Sequence, residues 1–282
     1  MKITALLGAT ASGKTAKSLQ LALELDAYVL SLDSLSIYKE IDIASAKPTP
    51  KERGDILHFG IDEIYPNEDF NVSIFFDIFK KAKQKAIEDG KNLIIVGGTG
   101  FYLKSLISGL SSKPKISSKT KKEVQKIIKN LDNAYNIINK NDKTYSQKIS
   151  KNDSYRIEKW LEVFLETGVP ASLYYKQNQQ PPLIKELDIL EINIPKDLLR
   201  QRVELRTKEM IKQGLIDEVI YLEKTYTRAP NSMKAIGIKE TLEFLDGLIN
   251  KKELEEKIIL NTMKLAKRQK TFNKTQLVTK AI

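Results

Sequence analysis

The sequence predicts an α/β fold: a core built on a parallel sheet, interrupted by an all-helical insertion domain. Three observations predict it. Short apolar runs alternate with amphipathic stretches through the first 110 residues, the pattern of parallel strands covered by helices. A glycine loop joins the first such run to the first helix. After Gly109 the composition changes: from Ser111 to Thr167 there is no Gly and a single Pro, Pro114, as expected of a helical segment.

Each element follows in order. Residues 3–8, ITALLG, read as a buried strand. Residues 16–25 carry apolar side chains at 19, 21, 22, 23 and 25 and read as a helix. YVLSLD (28–33) is a second strand. Residues 75–87 form a helix with apolar positions 75, 76, 79, 82 and 86, ended by Asp89-Gly90. LIIVGG (93–98) is a third strand, continuous in its apolar character as strands covered on both faces are. In the insertion, Ser117 or Ser118 caps one helix with apolar positions 124, 127, 128, 131, 134 and 138. A second runs from about 153 to 167, with Ile157, Trp160, Leu161, Phe164 and Leu165 on one face, and Gly168 and Pro170 end it. Residues 177–182 are a polar linker. The run LDILEINIP (187–195) is a strand that returns to the first sheet, and the rest is helical: 197–213, on past Gly214 to about 224, 239–249 and 251–272. The expected domains are 1–112 with 183–282, and 113–182.

Composition excludes several chemistries. The 282 residues contain no Cys and one His, which removes disulfide scaffolds, thiolate metal sites and His-rich metal sites. No apolar run approaches the roughly 20 residues of a membrane span, and MKITALLGATASGKT does not read as a signal peptide. The expectation is a cytoplasmic protein with no membrane partner. Net charge is +11, unevenly spread. Residues 1–110 hold 13 basic and 14 acidic residues, whereas 111–282 hold 34 and 22. Segment 113–159 has 13 basic against 5 acidic residues, and 264–282 has six basic and none acidic. Two basic clusters of this kind suit a polyanion, with nucleic acid the first candidate.

Residues 8–15, GATASGKT, match G-x-x-x-x-G-K-[ST] between a strand and a helix, the context this motif requires. The core is therefore expected to be P-loop NTPase-like. Gly8 and Gly13 permit the turn, so that the N–H groups of Gly8, Ala9, Thr10, Ala11, Ser12 and Gly13 form an anion nest at a helix N-terminus. Lys14 supplies a cation, and Thr15 a hydroxyl for Mg²⁺. The motif binds a polyphosphate without saying which. Asp33 stands at the carboxyl end of the second strand, the edge where ligands bind in open α/β sheets. A carboxylate there can hold Mg²⁺, cap the next helix or act as a base. Arg202 and Arg206 lie four apart, on one helix face. Glu209 and Glu186 are the carboxylates that could pair with them.

Beyond these residues, DSLSIYKEIDIASAKP (33–48), LIIVGGTGFYL (93–103), NDSYRIEKWLEVFLETG (152–168), LRQRVELRTKEM (199–210), AIGIKE (235–240) and LAKRQKTF (265–272) accompany the loop in order. With these blocks the chain resembles the bacterial tRNA dimethylallyltransferases (tRNA isopentenyltransferases), over nearly its full length. The resemblance implies transfer of a dimethylallyl group from dimethylallyl diphosphate to N6 of adenosine 37 in the tRNA anticodon loop, with release of diphosphate. It implies that residues 8–15 and Arg206 hold the diphosphate, that Asp33 is the general base, and that Thr15 assists Mg²⁺. Asp33, Thr15 and Arg206 are then the catalytic set. It places tRNA contacts at Asp33, Ser34, Leu35, Ser36, Thr99, Lys121, Arg156, Lys159, Lys234, Lys239 and Arg268; a monomer is the expectation, though no sequence feature decides the oligomeric state. Phe101, Tyr102 and Tyr155 are aromatic side chains of the type that stacks on loop bases. The sequence departs from the family pattern at Ala9, where proline is common, at Ile238, where tyrosine is usual, and at Leu57-His58-Phe59, so His58 is not expected to be essential.

Two other readings share the phosphate loop: an adenylate isopentenyltransferase acting on free nucleotide, and a small-molecule kinase. The kinase leaves the basic second part unused. A non-catalytic RNA-binding protein would need neither an acid at position 33 nor the arginine pair.

Overall fold

A computed structural model describes residues 1–98 and 100–282. The strands are β1 (Ile3–Gly8), β2 (Ala27–Ser31), β3 (His58–Phe59), β4 (Asn92–Gly97), β5 (Asp188–Ile192) and β6 (Lys280–Ala281). The helices are α1 (Lys14–Glu24), α2 (Pro50–Arg53), α3 (Val72–Glu88), α4 (Gly100–Ser108), α5 (Ser118–Ile127), α6 (Leu131–Asn141), α7 (Lys143–Ser146), α8 (Ser154–Thr167), α9 (Ala171–Gln177), α10 (Lys196–Lys212), α11 (Leu215–Tyr226), α12 (Ile238–Leu245) and α13 (Lys251–Gln276). The chain divides into two compact units, residues 1–106 with 184–282, and residues 107–183.

The first unit holds a six-stranded parallel sheet in the order β3-β2-β4-β1-β5-β6. The central strand β1 pairs with β4 from Ile3↔Leu93 to Leu7↔Gly97, and with β5 from Thr4↔Asp188 to Gly8↔Ile192. The strand at 188–192 thus rejoins the first sheet. Ala5, Leu6, Leu7, Leu93 and Ile95 are completely buried, as a sheet covered on both faces requires. Phe75, Phe79 and Ala82 of α3 bury on the helix face that the sequence spacing marks. Four of these elements escape the sequence reading: the two-residue strands β3 and β6, the single-turn α2, and α4. All strands being parallel, their carboxyl ends gather Gly8, the residues after Ser31 and Gly97 at one edge.

The second unit is helical. Its core is Val124, Ala134, Ile138, Ile157, Trp160, Leu161, Val163 and Ala171. The single helix expected across 117–138 is two. Ser117 caps α5 through Thr120 N–H at 3.2 Å, but Asn130 is extended and its side chain caps α6 through Asn133 N–H at 3.0 Å. A good N-cap residue in mid-pattern ends one helix and starts another. The linker expected at 177–182 is preceded by a further helix, α9. Buried Asp142 ties the unit together, its Oδ2 accepting from Trp160 Nε1 at 2.9 Å and Ser172 N–H at 3.1 Å. Among the described residues, no helix is long and apolar enough to cross a membrane.

Candidate active site

β1 delivers the chain to Gly8, and residues 9–13 turn it into α1. Ala11 and Gly13 adopt left-handed backbone, with φ of 61° and 96°. Glycine takes this freely, whereas a non-glycine residue holds it at a cost of about 1–3 kcal/mol. The turn is closed by Ser12 N–H donating to Ala9 O at 3.1 Å and by Lys14 Nζ donating to the same oxygen at 2.6 Å. Burial pushes the Lys14 ammonium down to about 8; Asp33 opposes that shift and Arg206 adds to it. Burial thus disfavours the unpaired ammonium, which an entering anion would stabilise.

α10 brings two arginines to this loop. Arg202 Nη1 donates to Ser12 O at 3.0 Å. Arg206 donates to Thr10 Oγ1 and to Ser45 O, both at 3.5 Å. Burial lowers the Arg206 pKa from its ordinary value, and the Asp33 charge counters it. Among the described residues, neither arginine pairs with a carboxylate; Glu204 is taken by Arg200 at 2.9 Å, and Glu209 and Glu186 are not within ion-pair distance. Asp33 follows β2, its Oδ1 accepting from Leu35 N–H at 2.9 Å. The capping role is thus realised by one oxygen, and Oδ2 has no protein partner among the described residues.

Two cavities meet here. The first, about 340 Å³, is lined by Thr10, Ala11, Gly13, Lys14 and Thr15 of the loop, by Arg202 and Arg206, and by Ser36, Ser45, Lys47, His58 and Gly98 among others. The second, about 280 Å³, is lined by Ser34, Leu35, Ala44, Val203, Met210, Lys234, Ala235, Ile236, Ile258 and Leu265 among others. Thr10, Asp33, Ser45, Arg206 and Gln269 belong to both. One cavity is walled by anion-binding groups, and the other sets apolar side chains such as Met210, Ile258 and Leu265 beside polar ones such as Ser34, Thr262 and Lys234. The acid and the buried arginine stand where the two join.

The remaining candidates divide. Gly8 and Ala9 lie in the loop without lining the first cavity, and Ala9 instead borders a third one, of about 460 Å³, with Lys264, Lys267 and Lys270. Ser12 is buried and its Oγ finds no partner among the described residues. Ser36 is buried and opens to the first cavity rather than the second. Lys234 reaches the second cavity from a segment fixed by Glu240, which accepts from Gly237 N–H and Asn261 Nδ2, each at 2.7 Å. Lys239 and Arg268 are exposed on α12 and α13 and line neither cavity. Ile238 is completely buried, so the residue at this position packs in the core. Thr99 lies outside the described residues. In the helical unit, Lys121 is exposed. Arg156 pairs with Asp153 at 2.7 Å, and Lys159 pairs with Glu162 at 2.7 Å while lying 5.9 Å over the exposed Tyr155 ring. Tyr102 stacks on Phe75 at 5.1 Å, and burial, with Tyr38 and Asp33 nearby, pushes it up to about 12; Phe101 is half exposed.

Sequence reasoning missed Gln269, Ser45 and Lys47, and set His58 aside although it lines the first cavity with Nδ1 on Ile56 O at 2.8 Å. Gln269 Oε1 accepts from Thr10 N–H at 3.0 Å. Gly98 makes room for it, since a Cβ there would come within 2.2 Å of the Gln269 amide. Its adjacency to Arg268 was the one available sign.

The profile of the family described as IPP transferase matches residues 36–276. This chain belongs to the IPP transferase family. It is 56% identical over 280 residues to the tRNA dimethylallyltransferase of Aliarcobacter butzleri (strain RM4018), covering 99% of this chain and 94% of that protein. It is 53% identical to the tRNA dimethylallyltransferase of Sulfurovum sp. (strain NBC37-1), covering 96% and 91%. The crystal structure of the full-length tRNA isopentenylpyrophosphate transferase from Bacillus halodurans is similar across 100% of this chain and 89% of that one, with a TM-score of 0.73 and 29% identity. Within the IPP transferase family, then, this chain carries both the phosphate loop and the acid at the cavity junction.

Proposed function

We propose that this chain transfers a dimethylallyl group from dimethylallyl diphosphate to N6 of adenosine 37 in the tRNA anticodon loop, releasing diphosphate. One observation carries the reading: Asp33 and Arg206 stand in the wall common to the cavity of the phosphate loop and a second cavity of mixed polar and apolar lining. A donor diphosphate in the first and a purine in the second bring the allylic carbon and the amine together at that wall.

The residues divide the work. Lys14, Arg206 and the loop amides bind the diphosphate and stabilise the charge that develops as the C–O bond breaks. The Asp33 carboxylate accepts the N6 proton as the C–N bond forms, through the oxygen that the Leu35 cap leaves free. Burial of Lys14 lowers its pKa to about 8, and an entering diphosphate holds its proton on. Adenosine 37 must leave its stack to reach a cavity of this kind. Ser34, Leu35 and Lys234 line the route. Lys121, Arg156, Lys159, Lys239 and Arg268 give backbone contacts in this reading, and Thr99 is a further proposed one.

Mg²⁺ fits the donors present. Among the described residues, no cluster of three metal-ligating side chains occurs. A hard cation held by the Thr15 hydroxyl and substrate oxygens, beside the Asp33 carboxylate, suits this set. Bound there, it would supply charge neutralisation for the departing diphosphate. The enzyme acts as a monomer in the cytoplasm in this reading.

Labelled dimethylallyl diphosphate with Mg²⁺ and unmodified tRNA tests the proposal. Label on adenosine 37 is the expected result. Label in AMP alone, or phosphate leaving ATP without prenyl transfer, overturns it.

A further inference from the structure

Segment 40–48 walls both cavities: Ala44 and Ser45 the second, Ser45 to Pro48 the first. It carries two non-glycine residues with left-handed backbone, Glu40 at φ 63° and Ala46 at φ 46°. Such backbone persists only where its surroundings hold it. The holding groups come from α11. Glu218 Oε2 accepts from the N–H groups of Asp42 at 2.9 Å and Ile43 at 2.7 Å, and its Oε1 from Ala44 N–H at 2.9 Å. Tyr226 OH donates to Glu40 Oε2 at 2.6 Å. Neither Glu218 nor Tyr226 lines either cavity.

We propose that Glu218 is a positioning residue for the transfer reaction: by gathering the three N–H groups of residues 42–44, it fixes the Ser45 carbonyl that holds Arg206 at the junction of the cavities. The proposal rests on the function assigned above. Its chemistry is specific to a carboxylate. Three successive N–H donors converge on two acceptor oxygens, and charge-assisted bonds of this kind are about twice as strong as neutral ones. A glutamine offers one such oxygen and points an N–H₂ group at the remaining donors. A carboxylate in the first turn of a helix also favours that helix through its dipole. That merely structural role predicts lost stability with no selective effect on Arg206.

The test uses the full-length chain and the variants Glu218→Gln, Arg206→Gln and both together. Arg228→Ala serves as a control; it breaks the ion pairs to Asp246 at 2.7 Å and Glu223 at 2.5 Å beyond the same helix. Glu218→Gln is expected to lower kcat for prenyl transfer by about 10- to 30-fold, with KM for tRNA changed less than about threefold. The double variant is expected to match Arg206→Gln within about threefold, because residues acting through one another are not additive. Arg228→Ala is expected to lower Tm while keeping kcat. The proposal is overturned if Glu218→Gln keeps wild-type kcat, if its loss multiplies with that of Arg206→Gln, or if Arg228→Ala at equal Tm loses as much. Should Glu218→Gln fail to fold, Tyr226→Phe releases the other end of the segment. A kcat loss of about three- to tenfold, absent on the Arg206→Gln background, supports the proposal, and full activity overturns it. Calorimetry with inorganic diphosphate separates this inference from the function it rests on. Without any prenyl transfer by the wild type, Glu218→Gln must still weaken diphosphate binding as Arg206→Gln does.

Discussion

The phosphate loop at 8–15 and the segment at 40–48 both wall the reaction site, and both contain non-glycine residues in left-handed backbone. Both combine local and distant bonds, but the backbone N–H groups of the segment are gathered by one distant carboxylate. The loop's turn is closed within five residues, Ala9 O taking both Ser12 N–H and Lys14 Nζ, and its outer side is docked by Arg202 on Ser12 O and Gln269 on Thr10 N–H. The segment is held from outside by Glu218 and Tyr226, more than 170 residues away. The loop's turn is therefore set locally, while the anion site it forms is completed by Arg202, Arg206 and Gln269. The segment's geometry, and the Arg206 it places, depends on the packing of α11.

The comparison is sharpened first at the arginine the two regions share. Arg206→Gln removes a donor aimed at developing charge, so single-turnover transfer should fall by about 10²–10³-fold while the fold is kept. A loss under tenfold would mean that the loop suffices alone. A cut inside the helical unit should leave diphosphate binding intact. Asp142→Ala strands the Trp160 Nε1–H and Ser172 N–H donors, costing the helical unit about 2–4 kcal/mol. Fluorescence of Trp160, the chain's only tryptophan, reads this in a urea titration. Burial opposes ionisation of Asp142, but the bonds from Trp160, Ser172 and Tyr145 outweigh it and hold its pKa below the usual carboxylate value. Its contribution is therefore present above the ordinary carboxylate range and fades as pH falls through and below it.

Lys14 tests the loop's part in anion binding through pH. Its pKa of about 8 in the free site means that it is charged below that pH and must take up a proton on binding above it. Affinity for the prenyl diphosphate should be flat below about pH 8 and fall by up to about tenfold per unit above it. Lys14→Arg should remove that dependence, because guanidinium does not titrate there. The smallest effect concerns salt. Replacing Lys267, Arg268 and Lys270 with Ala should flatten the logarithmic salt slope of tRNA binding by about 2 and leave diphosphate affinity unchanged.

The same contrast explains what the sequence discloses. The loop, its flanking strand and helix, and the strand returning at 188–192 are local patterns, and all are legible. Asp33 and the arginines at 202 and 206 are legible as candidates by their strand-end and i, i+4 positions. Glu218 and Gln269 are not, since their partners lie 174–176 and 259 residues away and neither type announces its contact. The strands β3 and β6, two residues each, are too short to carry a period. The break at Asn130 escapes because the apolar spacing runs through it.

The central claim is that bond formation occurs at the wall where the two cavities join, with Asp33 taking the proton. Its most direct measurement is single-turnover transfer of labelled dimethylallyl to tRNA by Asp33→Asn, beside calorimetric binding of dimethylallyl diphosphate to the same variant. The account predicts a rate reduced by about 10²–10⁴-fold with donor affinity within about threefold of wild type. Near-normal transfer by Asp33→Asn would contradict it.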